Sequence, residues 1–439
     1  MKEKKLSCSR ILFYGISVCL MVCVARMWRA TGVFPYYLAR YPAMILCGIY
    51  ILLKGKLYGR QLLYAALLAG FWMVYIVVRP YQAGALLKSV VCVWIAFIAF
   101  AYTVVRSHDE EAFLTSFSDV MIVVAAVSLF FWLFGTMLHV IPGKAMTFEF
   151  GGVTRSTVSY FSLYYENAYQ KAAFNLLGVQ KGLLRNTSVF VEAPAYSSIL
   201  SFALIIELFV RRHKKRVHVV ILIITLLSTL STKGVLFVGI VALFWLFRDQ
   251  AGANSRWITL LKTLAVPAVG LAVLLVLYRL LTMKMGTGSY TERTDILMAQ
   301  LKAWKENLLF GTGFSDLRIA KYITINQQLY TEKGKGYSLG ITVTLAYGGL
   351  YLLSLYVLPL IRPLFMKMQR YDKSVCLEIA ALQLVNFAIS NLFTNIPFIM
   401  FLSFMYAYFV FPDTVRIREK EKTPAGPAGA AMPAVNMIR

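Results

Sequence analysis

Arg185-Asn186-Thr187-Ser188-Val189-Phe190-Val191-Glu192-Ala193-Pro194-Ala195-Tyr196 closes a long polar segment and opens an apolar one. An arginine, a glutamate and a proline fall together where the chain turns hydrophobic. The stretch reads as the mouth of a membrane-crossing helix, lying at a membrane surface. The run that follows, Pro194–Val210, is one of many apolar runs of about 17–25 residues, each enough to cross a hydrocarbon core about 30 Å thick.

Composition agrees. The chain has 439 residues, 59% hydrophobic and 15% charged. A soluble domain is usually about 45–50% apolar and about 25% charged. Runs of about ten residues with alternating polarity, the mark of a membrane β-barrel, are absent. The expected fold class is therefore an all-α polytopic membrane protein. The net charge of +25 does not argue for nucleic acid. Cytoplasmic loops of membrane proteins accumulate Lys and Arg, and no soluble basic domain is present to carry such a function. The six cysteines (Cys8, Cys19, Cys23, Cys47, Cys92 and Cys376) avoid the long polar segments, so neither disulfides nor a thiolate metal site is expected.

Twelve spans organise the chain. Residues 1–141 hold five of them: Ile11–Val24, Tyr36–Leu53, Gln61–Val78, Ala85–Val105 and Phe117–Ile141. No small-x-small cleavage site follows the first, so it reads as an uncleaved helix. Residues 142–193 form a polar segment. Residues 194–281 hold Pro194–Val210, Val217–Ser231, Gly234–Phe247 and Thr263–Leu281, and residues 282–338 form a second polar segment. Residues 339–412 hold Leu339–Leu360, Ser374–Asn391 and Ile396–Phe411, before a disordered tail at 413–439.

Lys and Arg crowd the N-terminus, Lys54/Lys56/Arg60, Arg211–Arg216, Arg248/Arg256/Lys262, Arg362–Lys373 and the tail; the opposite short loops hold Arg29, Arg79 and Lys233 singly. By the positive-inside rule both termini are cytoplasmic and both long segments external.

In the first external segment Tyr160, Phe161, Tyr164, Tyr165 and Tyr169 recur at helix-like spacing. An interfacial amphipathic helix is the expectation, with a sugar-stacking face as the alternative. In the second, Ser289-Tyr290-Thr291-Glu292 has the capping-box pattern and predicts a helix from about Tyr290 to Asn307. Arg293 in its first turn opposes the helix dipole, which suits an anion-binding role. The two segments carry thirteen Lys/Arg against eight Asp/Glu. The positive-inside rule says little about long loops, so an anionic partner at the outer surface is indicated.

Lys233, between two apolar runs, either snorkels to headgroups or faces the bundle as a functional cation. Glu207 and Asp119 read as interfacial. His213 and His218 read as lacking carboxylate partners, so no metal is expected on them. No Walker, dinucleotide, HExxH or GxSxG motif is present. No carboxylate is clearly placed at mid-membrane depth, which counts against an ion-coupled pump.

The order of features over about the last 250 residues resembles the O-antigen polymerase and O-antigen ligase superfamily, the Wzy-type polysaccharide polymerases. Arg185, Phe190, Glu192 and Pro194 match its arginine, aromatic, glutamate and proline entering a helix. Ser231-Thr232-Lys233-Gly234 is similar to its break between two spans. Arg293, Trp304, Leu308, Leu309, Gly311, Gly313 and Phe314 look like its basic residue, amphipathic helix and glycine-containing turn. Gly348-Gly349 fits a glycine pair in the next span. One departure matters: Gly336-Tyr337-Ser338-Leu339 stands where ligases and many polymerases have a histidine, so a histidine base is not carried over.

The resemblance implies a membrane glycosyltransferase in the bacterial cytoplasmic membrane, without cofactor or obligatory metal. Its donor would be a glycan on undecaprenyl pyrophosphate, and a flippase and a chain-length regulator would be its partners in the pathway. The expected site is catalytic Glu192, Arg185 and Arg293, with substrate-binding Lys233, Arg155, Tyr196 and Tyr337. The cations would stabilise the departing pyrophosphate and Glu192 would serve as general base. The alternatives are a ligase that transfers a finished glycan and a flippase for lipid-linked oligosaccharides.

Overall fold

The computed structural model describes residues 8–55, 58–80, 90–150, 153–171, 182–213, 215–247, 288–331, 337, 340–366 and 370–411. The molecule is mostly helical. Its first half holds α1 (Cys8–Val22), the short α2 (Arg26–Ala30), α3 (Arg40–Leu53), α4 (Gly59–Val78), α5 (Cys92–Arg106) and α6 (Glu110–Phe131, extended by a π turn to Met137). The second half holds α7 (Ala193–Ile205, extended by a π turn to Val210), α8 (Arg216–Ser228), α9 (Thr232–Phe247) and α10 (Gly288–Glu306). After the short α11 (Asp316–Ala320) and α12 (Gln327–Thr331) come α13 (Gly340–Phe365), α14 (Arg370–Ile389) and α15 (Ile396–Met405, extended to Val410).

Among the described residues, four helices are long and apolar enough to cross a membrane: Gly59–Val78, Glu110–Met137, Ala193–Val210 and Gly340–Phe365. Shorter apolar helices stand at the other expected spans, except that Thr263–Leu281 lies outside the described residues, as do the start of Ala85–Val105 and the tail. The apolar outer faces fit a hydrocarbon surround. Leu52 on α3 and Val77 on α4 are each 72% exposed, and Leu62, Leu63, Leu67 and Met73 continue that surface along α4.

The first polar segment departs from expectation. No interfacial helix carries its aromatics. Lys144–Phe150, Val153–Tyr160 and Tyr164–Asn167 form strands β1, β2 and β3 of an antiparallel sheet. The sequence Val153-Thr-Arg-Ser-Thr-Val-Ser-Tyr160 is rich in β-branched residues, and strand pairing outweighs the helical spacing of the tyrosines. Phe161 and Ser162 both take positive φ and turn the chain between β2 and β3. Tyr164 and Tyr165 are buried, so they belong to packing rather than to a sugar-stacking face; Phe161 at the turn is 74% exposed.

The second segment contains α10, as the spacing predicts, beginning at Gly288 so that Ser289 lies within it. Ile296, Ala299 and Ala303 of α10 pack with Ile319, Ala320, Ile323, Tyr330, Tyr337, Val343 and Ala346. This small core seats α10 on α13.

The glycine motifs form one joint. Gly349 interrupts α13 with φ 60° and ψ −158°, a region open essentially to glycine. The turn after α10 supplies the partners that the break frees. Leu350 N and Tyr351 N donate to Leu308 O and Leu309 O, each at 2.9 Å. Thr312 N donates to Ala346 O at 2.8 Å and Gly313 N to Tyr347 O at 2.9 Å. Broken backbone inside an apolar bundle is tolerated only where the protein satisfies it in this way.

Candidate functional site

The stretch 185–192 is irregular, and its backbone is held on two sides. On the sheet side, Tyr165 N donates to Ser188 O at 3.0 Å and Thr187 Oγ1 to Tyr165 O at 2.9 Å. Asn167 Nδ2 donates to Val191 O at 3.2 Å, and Tyr169 OH to the same carbonyl at 2.5 Å. On the helical side, Asn186 N donates to Ser228 O at 3.1 Å, and Asn186 Nδ2 reaches Ser228 Oγ at 3.0 Å and Ser128 Oγ at 3.2 Å. A buried polar segment is stable only when its groups are paired like this. Glu192 then takes the N-cap position of α7, with Pro194 in the first turn.

The turn between α8 and α9 is built from hydroxyls. Ser197 on α7 bonds Thr229 Oγ1 at 3.0 Å and Ser231 Oγ at 2.7 Å, and Gly234 N donates to Ser231 Oγ at 2.9 Å. This network fixes the start of α9 against α7 and so places Lys233. Lys233 is 5% exposed, and its Nζ donates to Ser198 Oγ and Ser390 Oγ. No carboxylate pairs with it among the described residues.

A cavity of about 920 Å³ opens between these elements. Arg185, Glu192, Lys233, Arg293 and Tyr337 all line it, so the structure brings together five of the seven site residues expected from sequence. Arg26 and Arg40 line it as well, so that among the described residues four arginines and Lys233 face one carboxylate, Glu192. Glu192 forms no ion pair with a described cation, so it is not merely the partner of Arg185. Its charge is felt nearby: burial first, and then Glu192, hold the Tyr169 hydroxyl above its usual range. The Arg185 guanidinium is held below its usual range by burial first, then by Arg293, with Glu192 opposing. Arg185 and Arg293 therefore share a space where cation repels cation, and an anion between them would relieve that repulsion.

The other two expected residues lie elsewhere. Tyr196 is fully buried, stacks on Phe190 with ring centroids 4.8 Å apart, and shares a 2.8 Å hydrogen bond with Ser128 Oγ. Arg155 on β2 places its guanidinium 4.2 Å from the Tyr169 ring centroid. Neither lines the cavity.

Sequence reasoning misses Arg26, Arg40, Ser198 and Ser390. The readable signal is Arg26 beside Arg29 between the first two spans, with Arg40 at the near end of the second, an excess on the side opposite the basic loops. The serines carry no signal, because their partner is fixed only by helix packing.

A second charged cluster lies at the C-terminal end of α7, and it corrects the reading of His218. Glu207 is fully buried within the bundle. Arg211 Nε contacts Glu207 Oε1 at 2.8 Å and Arg211 NH2 contacts Asp119 Oδ1 at 2.5 Å. Ser118 Oγ donates to Glu207 at 2.7 Å and Tyr14 OH to Asp119 at 2.9 Å. His218 Nδ1 lies 3.5 Å from Glu207 Oε2, so it does have a carboxylate neighbour. Asp119, Glu207 and His218 have metal-ligand spacing, but Arg211 already supplies the cation that both carboxylates need. The cluster clasps α1, α6, α7 and α8 together.

No protein-family model, curated protein or solved structure matches this chain.

Proposed function

We propose that this protein is a membrane glycosyltransferase that polymerises undecaprenyl-pyrophosphate-linked oligosaccharide repeat units into capsular, exo- or O-antigen polysaccharide. In this reading twelve spans cross the bacterial cytoplasmic membrane, both termini are cytoplasmic, and the cavity faces the outer leaflet. The resemblance to the O-antigen polymerase and ligase superfamily motivates it. The observation that carries it is the cavity, where Arg185, Arg293 and Lys233 converge with Glu192.

The chemistry follows from the charges. A hydroxyl of one lipid-linked repeat attacks the anomeric carbon of a second. The new glycosidic C–O bond forms as the bond to the pyrophosphate oxygen breaks, and the lipid pyrophosphate leaves with the electron pair. Glu192 takes the hydroxyl proton. Preorganised cations in a partly desolvated cleft stabilise the charge that develops on the leaving group, each worth about 10²–10³ in rate by analogy with oxyanion-hole donors. Lys233, held by two serines, presents its amine with little reorganisation.

The discriminating experiment is a deletion strain. Single lipid-linked repeats accumulating on the outer leaflet support polymerisation. Repeats confined to the inner leaflet indicate a flippase instead. Full-length polymer that is present but unattached indicates a ligase.

A further inference from the structure

The cavity holds more positive charge than a lipid pyrophosphate needs. A pyrophosphate diester carries roughly one negative charge per phosphate. With Glu192, that neutralises only part of the charge on the four lining arginines. Five other acids of the external segments are engaged elsewhere. Glu166 accepts from Tyr160, Asp295 from Thr324 and Ile325, Glu306 from Lys321 and Tyr322, Asp316 from Tyr347, and Glu292 from Tyr330.

The excess is placed at Arg26 and Arg40, which come from the first part of the chain and line the same cavity as Arg185 and Glu192. Arg26 opens α2, and α2 is pinned to the site stretch: Met27 N donates to Val189 O at 3.2 Å and Trp28 Nε1 to Ser162 O at 2.8 Å. Arg26 forms no ion pair among the described residues. Arg40 opens α3, where a cation opposes the helix dipole. Its NH2 donates to Tyr41 OH at 3.1 Å, but its Nε is buried without a hydrogen-bond partner. Two guanidiniums held in a cleft, one with an unmet donor, suit a planar or tetrahedral oxyanion.

We infer that the repeat unit taken by this cavity is itself acidic, and that Arg26 and Arg40 bind a carboxylate or phosphate substituent of the glycan beside the pyrophosphate held by Arg185, Arg293 and Lys233. This rests on the polymerase reading and adds the substrate class to it. The substituent takes no part in bond making; it sets register and specificity.

Two arms test the inference. The first is mass spectrometry of the oligosaccharide released by mild acid from lipid-linked material of the deletion strain. A repeat bearing a carboxyl or phosphate group is expected. A neutral repeat overturns the inference and leaves the polymerase reading standing. Absence of any accumulated lipid-linked repeat overturns both.

The second arm uses the full-length protein in nanodiscs of neutral lipid, with native repeats and with repeats whose carboxyl groups have been reduced. Arg26→Gln/Arg40→Gln should raise KM for native repeats about tenfold or more with kcat little changed. Arg26→Lys/Arg40→Lys should restore most of the loss. On carboxyl-reduced repeats, wild type and the Gln variant should converge if the substituent is a carboxylate. The difference should persist if it is a phosphate. An unchanged KM in the Gln variant, or a defect seen only when anionic lipid is added, overturns the assignment.

Discussion

Gly349→Ala tests the joint that ties the second polar segment to the bundle. Gly349 sits at φ 60° and ψ −158°, and an added Cβ would lie 2.4 Å from the carbonyl carbon and oxygen of Leu309. The backbone there costs about 1–3 kcal/mol for a residue with a side chain. Relieving the clash pushes the Leu308–Gly313 turn away, and four backbone hydrogen bonds at 2.8–2.9 Å cross this joint. At about 1 kcal/mol for each bond lost, losing two brings the cost to about 3–5 kcal/mol. That is a large share of the roughly 5–15 kcal/mol that holds a typical protein folded. The damage should be local first, because the same turn follows α10, the helix that carries Arg293. The assay is twofold: limited proteolysis of the detergent-purified protein, and polymer production in cells at matched protein level. Cleavage should appear in or after α10, and the polymer should be lost. Wild-type protease resistance together with a normal ladder would refute the reasoning that these glycines make one structural unit.

Three other changes separate structure from chemistry. Arg211→Ala should destabilise the protein by about 3–5 kcal/mol, because it leaves Glu207 buried without its cation; thermal unfolding in detergent checks this, and the folded fraction should keep full specific activity. Tyr196→Phe removes one buried hydrogen bond, to Ser128, and should cost about 1 kcal/mol with no change in turnover, as a packing role requires and a substrate-binding role does not. Glu192→Gln should lower turnover by about 10²–10⁴ with stability intact; wild-type rates would remove Glu192 as the base.

The apolar runs made the helices legible, because burial in hydrocarbon demands length and apolar character whatever the tertiary packing. The α10 helix was legible for another local reason, the capping-box pattern at Ser289–Glu292. The sheet was not, since Tyr160, Tyr164 and Tyr165 lie at spacings compatible with helix, and only the β-branched run of β2 argues against it. At the site, Arg185, Glu192, Lys233, Arg293 and Tyr337 share a motif context and one cavity. Arg26 and Arg40 come from the other end of the chain, and only the fold brings them there. His218 looked unpaired because its carboxylate neighbours, Glu207 and Asp119, belong to other helices, α7 and α6, and only packing brings them to it.

The most direct test is reconstitution: purified protein in a lipid bilayer, given purified lipid-pyrophosphate-linked repeat units as both donor and acceptor. The account predicts a ladder of lipid-linked oligomers with release of undecaprenyl pyrophosphate, and none with Arg185→Ala or Arg293→Ala. Wild-type protein that leaves the repeats single, or equal ladders from the wild type and both variants, would contradict it.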